Sequence, residues 1–450
     1  METDFFRNKR VTVMGLGLLG RGVGDAAYIA EAGAADVLAT DLKDERALAT
    51  SVAQLEQYPN VHFRLGEHRF EDFAERDLIL VAAGVPIDSP YLAHAQEQGI
   101  RLAQSAALFA ELSSIPVIGV TGTRGKSTVT HLIHHVLEMA TGQSVILGGN
   151  VRGVSNLQLL ANVREDSLAV MELDSWQLQG WGWATCSPQV AVFTSFMPDH
   201  MNYYHGDMHA YLADKANIFR FQDETGTLVT TPAVFAWLQE LPDKLAQEVV
   251  LTDSSELPDD VLLPMPGEHN RQNAALALAA LRTTGLPDEE IFEHFASFPG
   301  VPGRLQFLGS NQAGVRVYND NNATTPEAAA AGVRAVAGER DVILIAGGSD
   351  KELDLAPLLA AIEQHCRLVV LTPGSGTDRL RPLLRGLTTH VEVVEVADVA
   401  AATVAAVAAA QPGETILFSP AFASFSLFNN EYERHEAFEQ AVRGQLAEGE

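Results

Sequence analysis

Residues 115–128 read IPVIGVTGTRGKST, and this stretch decides the fold. Its first part, IPVIGVTG (115–122), is mostly apolar and reads as a buried strand. A glycine-containing loop follows, and then a helical pattern over 126–140. Thr121-Gly122-Thr123-Arg124-Gly125-Lys126-Ser127-Thr128 therefore occupies a strand–loop–helix turn. Its glycines let backbone N–H groups point at a phosphate. Lys126 is a point charge for β- and γ-phosphates, and Ser127 offers a hydroxyl to Mg²⁺. The strict phosphate-loop pattern places glycine at 120, where this chain has Val120, and Gly119 comes one residue too early. The loop is a variant, and its G-x-G-K-S-T core in this setting points to ATP.

Working outward, the same strand–helix rhythm runs through the chain. Upstream, VTVMGL (11–16), DVLATD (36–41) and DLILVAAG (77–84) read as strands, with a helix over 18–33. Downstream, SLAVMELDS (167–175), PQVAVFTSF (188–196) and GTLVTT (226–231) add strands, and 268–283 is an Ala/Leu-rich helix. FPGVPGR (298–304) reads as a linker. Beyond it VRVYND (315–320), RDVILIAGG (340–348), RLVVLTP (367–373) and TILFSP (415–420) resume the pattern. The tract VAAATVAAVAAAQ (399–411) reads as a helix capped by Asp398. The alternation predicts an α/β protein with mainly parallel sheets. Boundaries near 112 and 300 divide it into domains at 1–112, 113–300 and 301–450.

Gly15-Leu16-Gly17-Leu18-Leu19-Gly20 also fits a glycine fingerprint after a strand, with Asp41 ending the next strand. Alone it admits a dinucleotide, another nucleotide, or a tight turn with no ligand. Nothing downstream resembles hydride-transfer machinery, so a nucleotide other than NAD ranks first.

The 450 residues carry 30 basic and 58 acidic side chains, a formal charge of -28. That balance disfavours nucleic acid and anionic membrane surfaces as partners. Two cysteines, Cys186 and Cys366, exclude a disulfide framework or a four-thiolate zinc site. No apolar run is long enough to span a bilayer, and METDFFRNKR at the N-terminus is not a signal peptide. A soluble, cytoplasmic protein is expected. Only six lysines occur, Lys9, Lys43, Lys126, Lys215, Lys244 and Lys351, against 24 arginines. A chain that uses arginine for most cations keeps lysine where a free amine matters.

A metal site near the loop needs further donors. Glu172 ends one predicted strand, and Asp199 and His200 follow another. Lys215 lies in AYLADKANIF and would ordinarily be a helix-surface lysine. In a chain this poor in lysine that reading weakens.

At these residues the sequence resembles the Mur ligase family, ATP-dependent amide-forming enzymes of peptidoglycan precursor synthesis. The resemblance rests on TGTRGKST, Glu172, Asp199-His200, Lys215, Gly267-Glu268-His269-Asn270 with Asn273, Arg304 and Asn319-Asp320, in family order. GLGLLG (15–20), GGN (148–150), ELDSWQL (172–178), NDNNATT (319–325), GGSDK (347–351) and SPAFAS (419–424) resemble the branch that adds glutamate. The resemblance implies three domains: a Rossmann-like UDP-binding domain, a central phosphate-loop ATPase, and a Rossmann-like C-terminal domain closing over the site. It implies that Gly17, Leu18, Leu19, Asp41 and Lys43 hold the uridine part, and that Asn150 and Gln177 contact the muramoyl-alanine part. Gly122, Thr123, Arg124, Gly125, Lys126, Ser127, Thr128, Asn270, Asn273, Arg304 and Asp320 would bind ATP. Ser127, Glu172, His200 and Lys215, the last as a CO₂-derived carbamate, would hold a pair of Mg²⁺ ions. Carbamate formation needs a neutral amine, which a guanidinium does not supply. Thr324, Lys351 and Ser424 would receive the incoming amino acid. Lys126, Glu172, His200 and Lys215 would carry the catalysis, leaving Lys9 and Lys244 as solvated charges.

The activity implied is ATP-dependent addition of glutamate, the D-isomer first, to UDP-N-acetylmuramoyl-L-alanine through an acyl phosphate, by a monomer. Three positions depart from the pattern. Asn322 stands where a lysine is usual, Asp174 where a serine is usual, and Glu431 where an aromatic is expected. They leave L-glutamate on the same substrate as the alternative. A folylpolyglutamate-type ligase, an NAD-binding protein and a non-catalytic ATP-binding protein rank below it.

Overall fold

The computed structural model describes residues 4–18, 20–242, 245–428 and 430–447. Its contacts divide the chain into two compact units. One is Met1–Pro258 with Asn273–His294, the other Asp259–Gln272 with Phe295–Glu450. Leu19 and Lys244, both named above, lie outside the described residues.

The first unit holds two parallel sheets. One is built from β1 (Arg10–Met14), β2 (Asp36–Asp41), β3 (Val61–Leu65), β4 (Leu78–Val81) and β5 (Arg101–Ala103), in the order β3-β2-β1-β4-β5. The other contains β6 (Val117–Thr121), β7 (Val145–Gly149), β8 (Leu168–Glu172), β9 (Val190–Phe193), β10 (Thr227–Thr230) and β11 (Glu248–Leu251), ordered β11-β10-β9-β6-β8-β7. β6 is therefore an inner strand and wholly buried. Helices α1 (Arg21–Glu31), α2 (Lys126–Thr141), α3 (Ser175–Ala184) and α4 (Met208–Ala216) pack around these sheets, and one apolar core runs through both. Asp25 of α1 adds a polar tie, accepting from Ser155 Oγ at 2.6 Å and Leu157 N at 3.2 Å. Helix α5 (Glu268–Arg282) has its first turn in the second unit and the remainder in the first.

The second unit's sheet comprises β12 (Gln306–Ser310), β13 (Arg316–Asn319), β14 (Val342–Ala346), β15 (Cys366–Leu371), β16 (Glu392–Glu395) and β17 (Thr415–Phe418). The order is β12-β13-β17-β14-β15-β16, with only β12 antiparallel. Apolar clusters fill both faces. Helices α6 (Pro326–Val336), α7 (Val399–Ala409) and α8 (Glu431–Ala447) belong to this unit. The Ala-rich tract forms α7, and Asp398 Oδ1 accepts from Ala401 N at 2.8 Å, the expected cap. The edge strand β16 reads EVVE; Glu392 lies 3.7 Å from Arg367, and Glu395 takes two bonds from Arg381 at 2.7 and 2.9 Å.

Parallel strands deliver their following loops to one edge of a sheet. Each sheet therefore gathers the loops read from the sequence: 15–20 and 42–43 after β1 and β2, 122–126 and 194–200 after β6 and β9, and 320–325, 347–351 and 419–424 after β13, β14 and β17. The helix expected from residue 18 starts at Arg21 instead, because Gly15, Gly17 and Gly20 all adopt positive φ. Lys9 is more than a solvated charge: its ammonium sits 3.5 Å from the centroid of the Phe5 ring.

Candidate active site

The loop 122–126 leaves β6 and opens α2, as its glycines dictate. Gly122 has φ 146°, and a Cβ there would lie 2.0 Å from Thr194 Oγ1. Gly125 caps α2 with φ 88°, and its Cβ would lie 2.4 Å from Asn273 Oδ1. Val120, the departure from the strict pattern, is a buried β6 residue paired with Glu172 and Val192. The loop begins after it, so glycine is not needed there.

The continuation of β9 pins the loop. Thr123 N donates to Ser195 O at 2.8 Å, and Arg124 N to Ser195 Oγ at 2.8 Å. Thr194 Oγ1 donates toward Thr121 O and Arg124 O at 3.1 and 2.5 Å. Sequence reasoning missed Thr194 and Ser195; their signal is a Thr-Ser pair ending a strand beside the phosphate loop. Ser127 and Thr128 are buried in the first turn of α2, whereas Arg124 is exposed.

Two lysines meet under this loop. Lys126 Nζ donates to Gly122 O at 3.0 Å and Thr123 O at 3.2 Å. Lys215, on α4, is 1% exposed, so it is no helix-surface residue. Its Nζ donates to Gly122 O at 2.9 Å and Thr121 Oγ1 at 3.3 Å, and lies 5.0 Å from the Tyr211 ring centroid. Burial, and then the charge of Lys126, drive its pKa well below the ordinary lysine value against the fields of Asp174, Asp199 and Asp214. The Asp214 carboxyl is itself raised by burial, although it accepts from Gln179 Nε2 at 2.8 Å and Tyr204 Oη at 3.0 Å.

His200 sits in the left-handed region, φ 54°, with its ring 4.6 Å from that of Trp176. Burial, and then Lys126 and Lys215, lower its pKa against Asp199 and Asp174. Asp174, which departs from the usual serine, caps α3 by accepting from Gln177 N at 2.8 Å. An aspartate caps as well as a serine does and adds negative charge toward Lys215 and His200.

Glu172 ends β8 and is buried. Its carbonyl accepts from Asn150 N at 2.7 Å. With its amide turned so that each end meets a complementary group, Gln177 closes this cluster, Nε2 donating to Glu172 O at 3.1 Å and Oε1 accepting from Asn150 N at 3.3 Å. Gly149 must be glycine, because a Cβ there would lie 2.0 Å from Glu172 O. Among the described residues no three His, Cys, Asp or Glu side chains gather as a metal cage. Ser127 in the first turn of α2 offers a hydroxyl, Glu172 at the end of β8 a carboxylate, and His200 beyond β9 an imidazole. That set fits a cation that takes its remaining oxygens from phosphate.

The glycine loop after β1 lines a cavity of about 190 Å³ whose walls include Leu16, Gly17, Leu18, Arg21 and Gln177. Asp41 spends its carboxylate on that loop, accepting from Leu16 N at 3.0 Å, Gly17 N at 3.2 Å and Lys43 N at 2.9 Å. Lys43 Nζ is 3.9 Å from it. Leu18 and Leu42, on the loops after the paired strands β1 and β2, are 64% and 68% exposed.

In the second unit, Asn270 Nδ2 donates to Pro266 O at 2.8 Å. Asp320 accepts from Leu305 N at 3.1 Å and Ser419 Oγ at 2.8 Å. Burial pushes its carboxyl up to about 7, against the opposing charge of Arg304. Lys351 Nζ donates to Thr324 Oγ1 at 2.9 Å, and Ser424 is buried. Ser349 and Ala423 exchange backbone bonds at 2.9 and 3.0 Å, which joins the loops after β14 and β17.

Arg434 of α8, not singled out from the sequence, ties two of these loops. It is 3% exposed and donates to Asn321 Oδ1 at 2.8 Å, Asn321 O at 3.0 Å and Phe422 O at 3.0 Å. Burial lowers its pKa to about 10, and the charge of Glu431 opposes the fall. Glu431 also accepts through its carbonyl from Asn321 Nδ2 at 2.9 Å. Asn322 Nδ2, in place of a lysine, points to Pro302 O at 3.4 Å.

Three family models match the chain: Mur ligase MurD-like, N-terminal domain, over residues 9–104; Mur ligase middle domain, over 120–257; and Mur ligase, glutamate ligase domain, over 303–422. A UDP-N-acetylmuramoylalanine–D-glutamate ligase of Roseiflexus sp. (strain RS-1) is 36% identical, with 96% of this chain and 98% of that protein covered. The protein of the same name from Nitrosococcus oceani is 33% identical, with 95% of each covered. Among solved structures, MurF ligase from Thermotoga maritima in complex with ADP aligns with TM-score 0.58 at 16% identity, covering 99% of this chain and 97% of that one.

Proposed function

The chain belongs to the Mur ligase family, and on that footing we propose that it joins D-glutamate to UDP-N-acetylmuramoyl-L-alanine at the expense of ATP. The observation that carries this reading is the near full-length likeness to D-glutamate ligases. The arrangement around Gly122 supports it, since it combines a phosphate loop, Lys126 and a buried second lysine.

The muramoyl-alanine carboxylate is a poor acyl donor, because its leaving group would be oxide. In the first step its oxygen attacks the γ-phosphorus of ATP, the bond to the bridging oxygen breaks, and ADP departs. Lys126 and the backbone N–H groups of Gly125, Lys126 and Ser127, at the start of α2, would bear the charge that develops there. Asn270, Asn273, Arg304 and Asp320 complete the ATP contacts in this reading. In the second step the glutamate amine, as its neutral form, attacks the acyl carbon. The nitrogen of the tetrahedral intermediate gives up a proton, which the departing phosphate or solvent takes, and the intermediate collapses to the amide as phosphate leaves. Thr324, Lys351 and Ser424 would hold the glutamate carboxylates.

Ser127, Glu172 and His200 would hold magnesium, with Lys215 as a carbamate. Bound there, the metal neutralises phosphate charge and orients the transferred group. A neutral Lys215 amine is what CO₂ requires, and burial beside Lys126 favours that form. The carbamate would turn a buried amine into an anionic ligand. Leu18, Asp41 and Lys43 belong to the uridine site, with Asp41 acting through the loop that it holds. Among the described residues no helix is long and apolar enough to cross a membrane. The working form would be a cytoplasmic monomer.

The test is ADP release with UDP-N-acetylmuramoyl-L-alanine and each glutamate isomer in turn. Release requiring both the nucleotide sugar and D-glutamate supports the reading. Release with L-glutamate alone transfers it to the L-isomer, the reading that Asn322 and Glu431 keep in play. Release independent of any amino acid removes it.

A further inference from the structure

Arg21 is the first residue of α1 and borders the cavity behind the glycine loop. Its one hydrogen bond among the described residues runs from Nη1 to Asn150 Oδ1, at 2.7 Å. Its Nε is buried without a partner. A guanidinium has five N–H donors in a rigid fork. Among the described residues no hydrogen bond joins them to the acid four residues on, Asp25, whose Oδ1 accepts from Ser155 Oγ and Leu157 N. Burial raises the Asp25 carboxyl further from its charged form, although Arg21 opposes this.

The position is tightly set. Gly22 packs against the loop so closely that a Cβ would lie 2.6 Å from Leu16 O, and one on Gly24 would lie 2.6 Å from Ser155 Cβ. The arginine between the loop and these contacts therefore starts from a fixed backbone. By donating to Asn150 Oδ1, it also fixes which end of that amide is the oxygen and turns the N–H₂ the other way. The backbone N–H of Asn150 is already committed to Glu172 O. The cavity wall thus presents the Arg21 guanidinium as its cation, with Asn150 hydrogen-bonded to it, in a chain of charge -28.

We propose that Arg21 binds the diphosphate of the UDP-linked substrate, and that its bond to Asn150 orients that amide toward the same substrate. This rests on the ligase reading above. The diphosphate is the most highly charged part of that substrate, and a planar guanidinium meets two of its oxygens at once.

The experiment pairs steady-state kinetics of Arg21→Gln with competition by UDP and UMP. The KM for UDP-N-acetylmuramoyl-L-alanine is expected to rise about tenfold or more, while those for ATP and glutamate stay put. The wild type should prefer UDP to UMP as a competitor, and the variant should lose most of that preference. Arg21→Lys, which keeps the charge but not the fork, should fall between. It also serves as the test if the glutamine variant does not fold. An unchanged KM, or a raised KM with the UDP preference intact, overturns the assignment while leaving the ligase reading standing. A wild type that neither turns over the substrate nor binds UDP overturns both.

Discussion

Lys126 and Lys215 donate to the same acceptor, the carbonyl oxygen of Gly122, at 3.0 and 2.9 Å. Residues 89 positions apart, one from the loop and one from α4, thus bring two amines to a single atom. The nearness of two like charges in a buried setting weakens proton binding at Lys215, the more deeply enclosed of the pair.

Replacing Lys126 with alanine should abolish glutamate-dependent ADP release, because the charge facing the phosphates is lost. Ordinary turnover in Lys126→Ala, measured by coupled ADP detection, would sink the assignment.

Lys215→Ala should be nearly inactive for a different reason. If the carbamate is the working form, short carboxylates such as formate or acetate should restore part of the rate. Mass spectrometry of active enzyme that shows the lysine unmodified under CO₂-saturated conditions would refute the carbamate.

Thr194 holds the phosphate loop through one hydroxyl aimed at two carbonyls. Thr194→Val keeps the shape and removes the donor. It should cost about 1–2 kcal/mol in thermal or urea unfolding. The KM for ATP should rise severalfold, with the KM for the nucleotide sugar little affected.

The Asp320 carboxyl is raised from 3.8 to about 7 in the folded state. The native protein therefore keeps a proton that the unfolded chain gives up, and stability falls as pH rises through that interval. Asp320→Asn, nearly the same shape, removes this dependence. Unfolding free energies from urea titrations should drop between about pH 5 and 7.5 by roughly 2.5 kcal/mol more in the wild type than in the variant. Parallel pH profiles would rule out a proton at this site.

Arg434→Met should leave the oxygens of Asn321 and Phe422 without their donors. Breaking such a buried network typically costs about 3–5 kcal/mol. The milder Asn321→Ala should fold and should raise the KM for glutamate while sparing that for ATP. Equal effects on all substrates would argue for a general loss of structure.

How much of this was legible in the sequence depends on where a strand lies. Every strand read from the residues, from VTVMGL to TILFSP, is an inner strand. The six that went unread, β3, β5, β7, β11, β12 and β16, are the outer strands of the three sheets. Inner strands are covered on both faces and appear as unbroken apolar runs. Outer strands such as VHFRL or EVVE are half solvated, and their polar residues break the pattern. The phosphate loop was legible for another reason: its residue types and spacing are local. Arg21 and Arg434 were not, since each acts across a sequence gap of more than one hundred residues, to Asn150 and Asn321. Nothing in the one-dimensional pattern says which arginines of 24 are enclosed.

The glutamates of β16 bear on how the chain behaves at high concentration. An open parallel sheet ends in a row of unused backbone groups, onto which a second copy could add its own strand. Here any such neighbour meets carboxylate against carboxylate at both ends of the strand. Such a pairing would set acidic side chains beside one another, a cost that opposes growth of the sheet, and Arg367 and Arg381 hold Glu392 and Glu395 in place. A crowded translation mixture, where half-made copies collide most often, is where this protection against polymerisation would count.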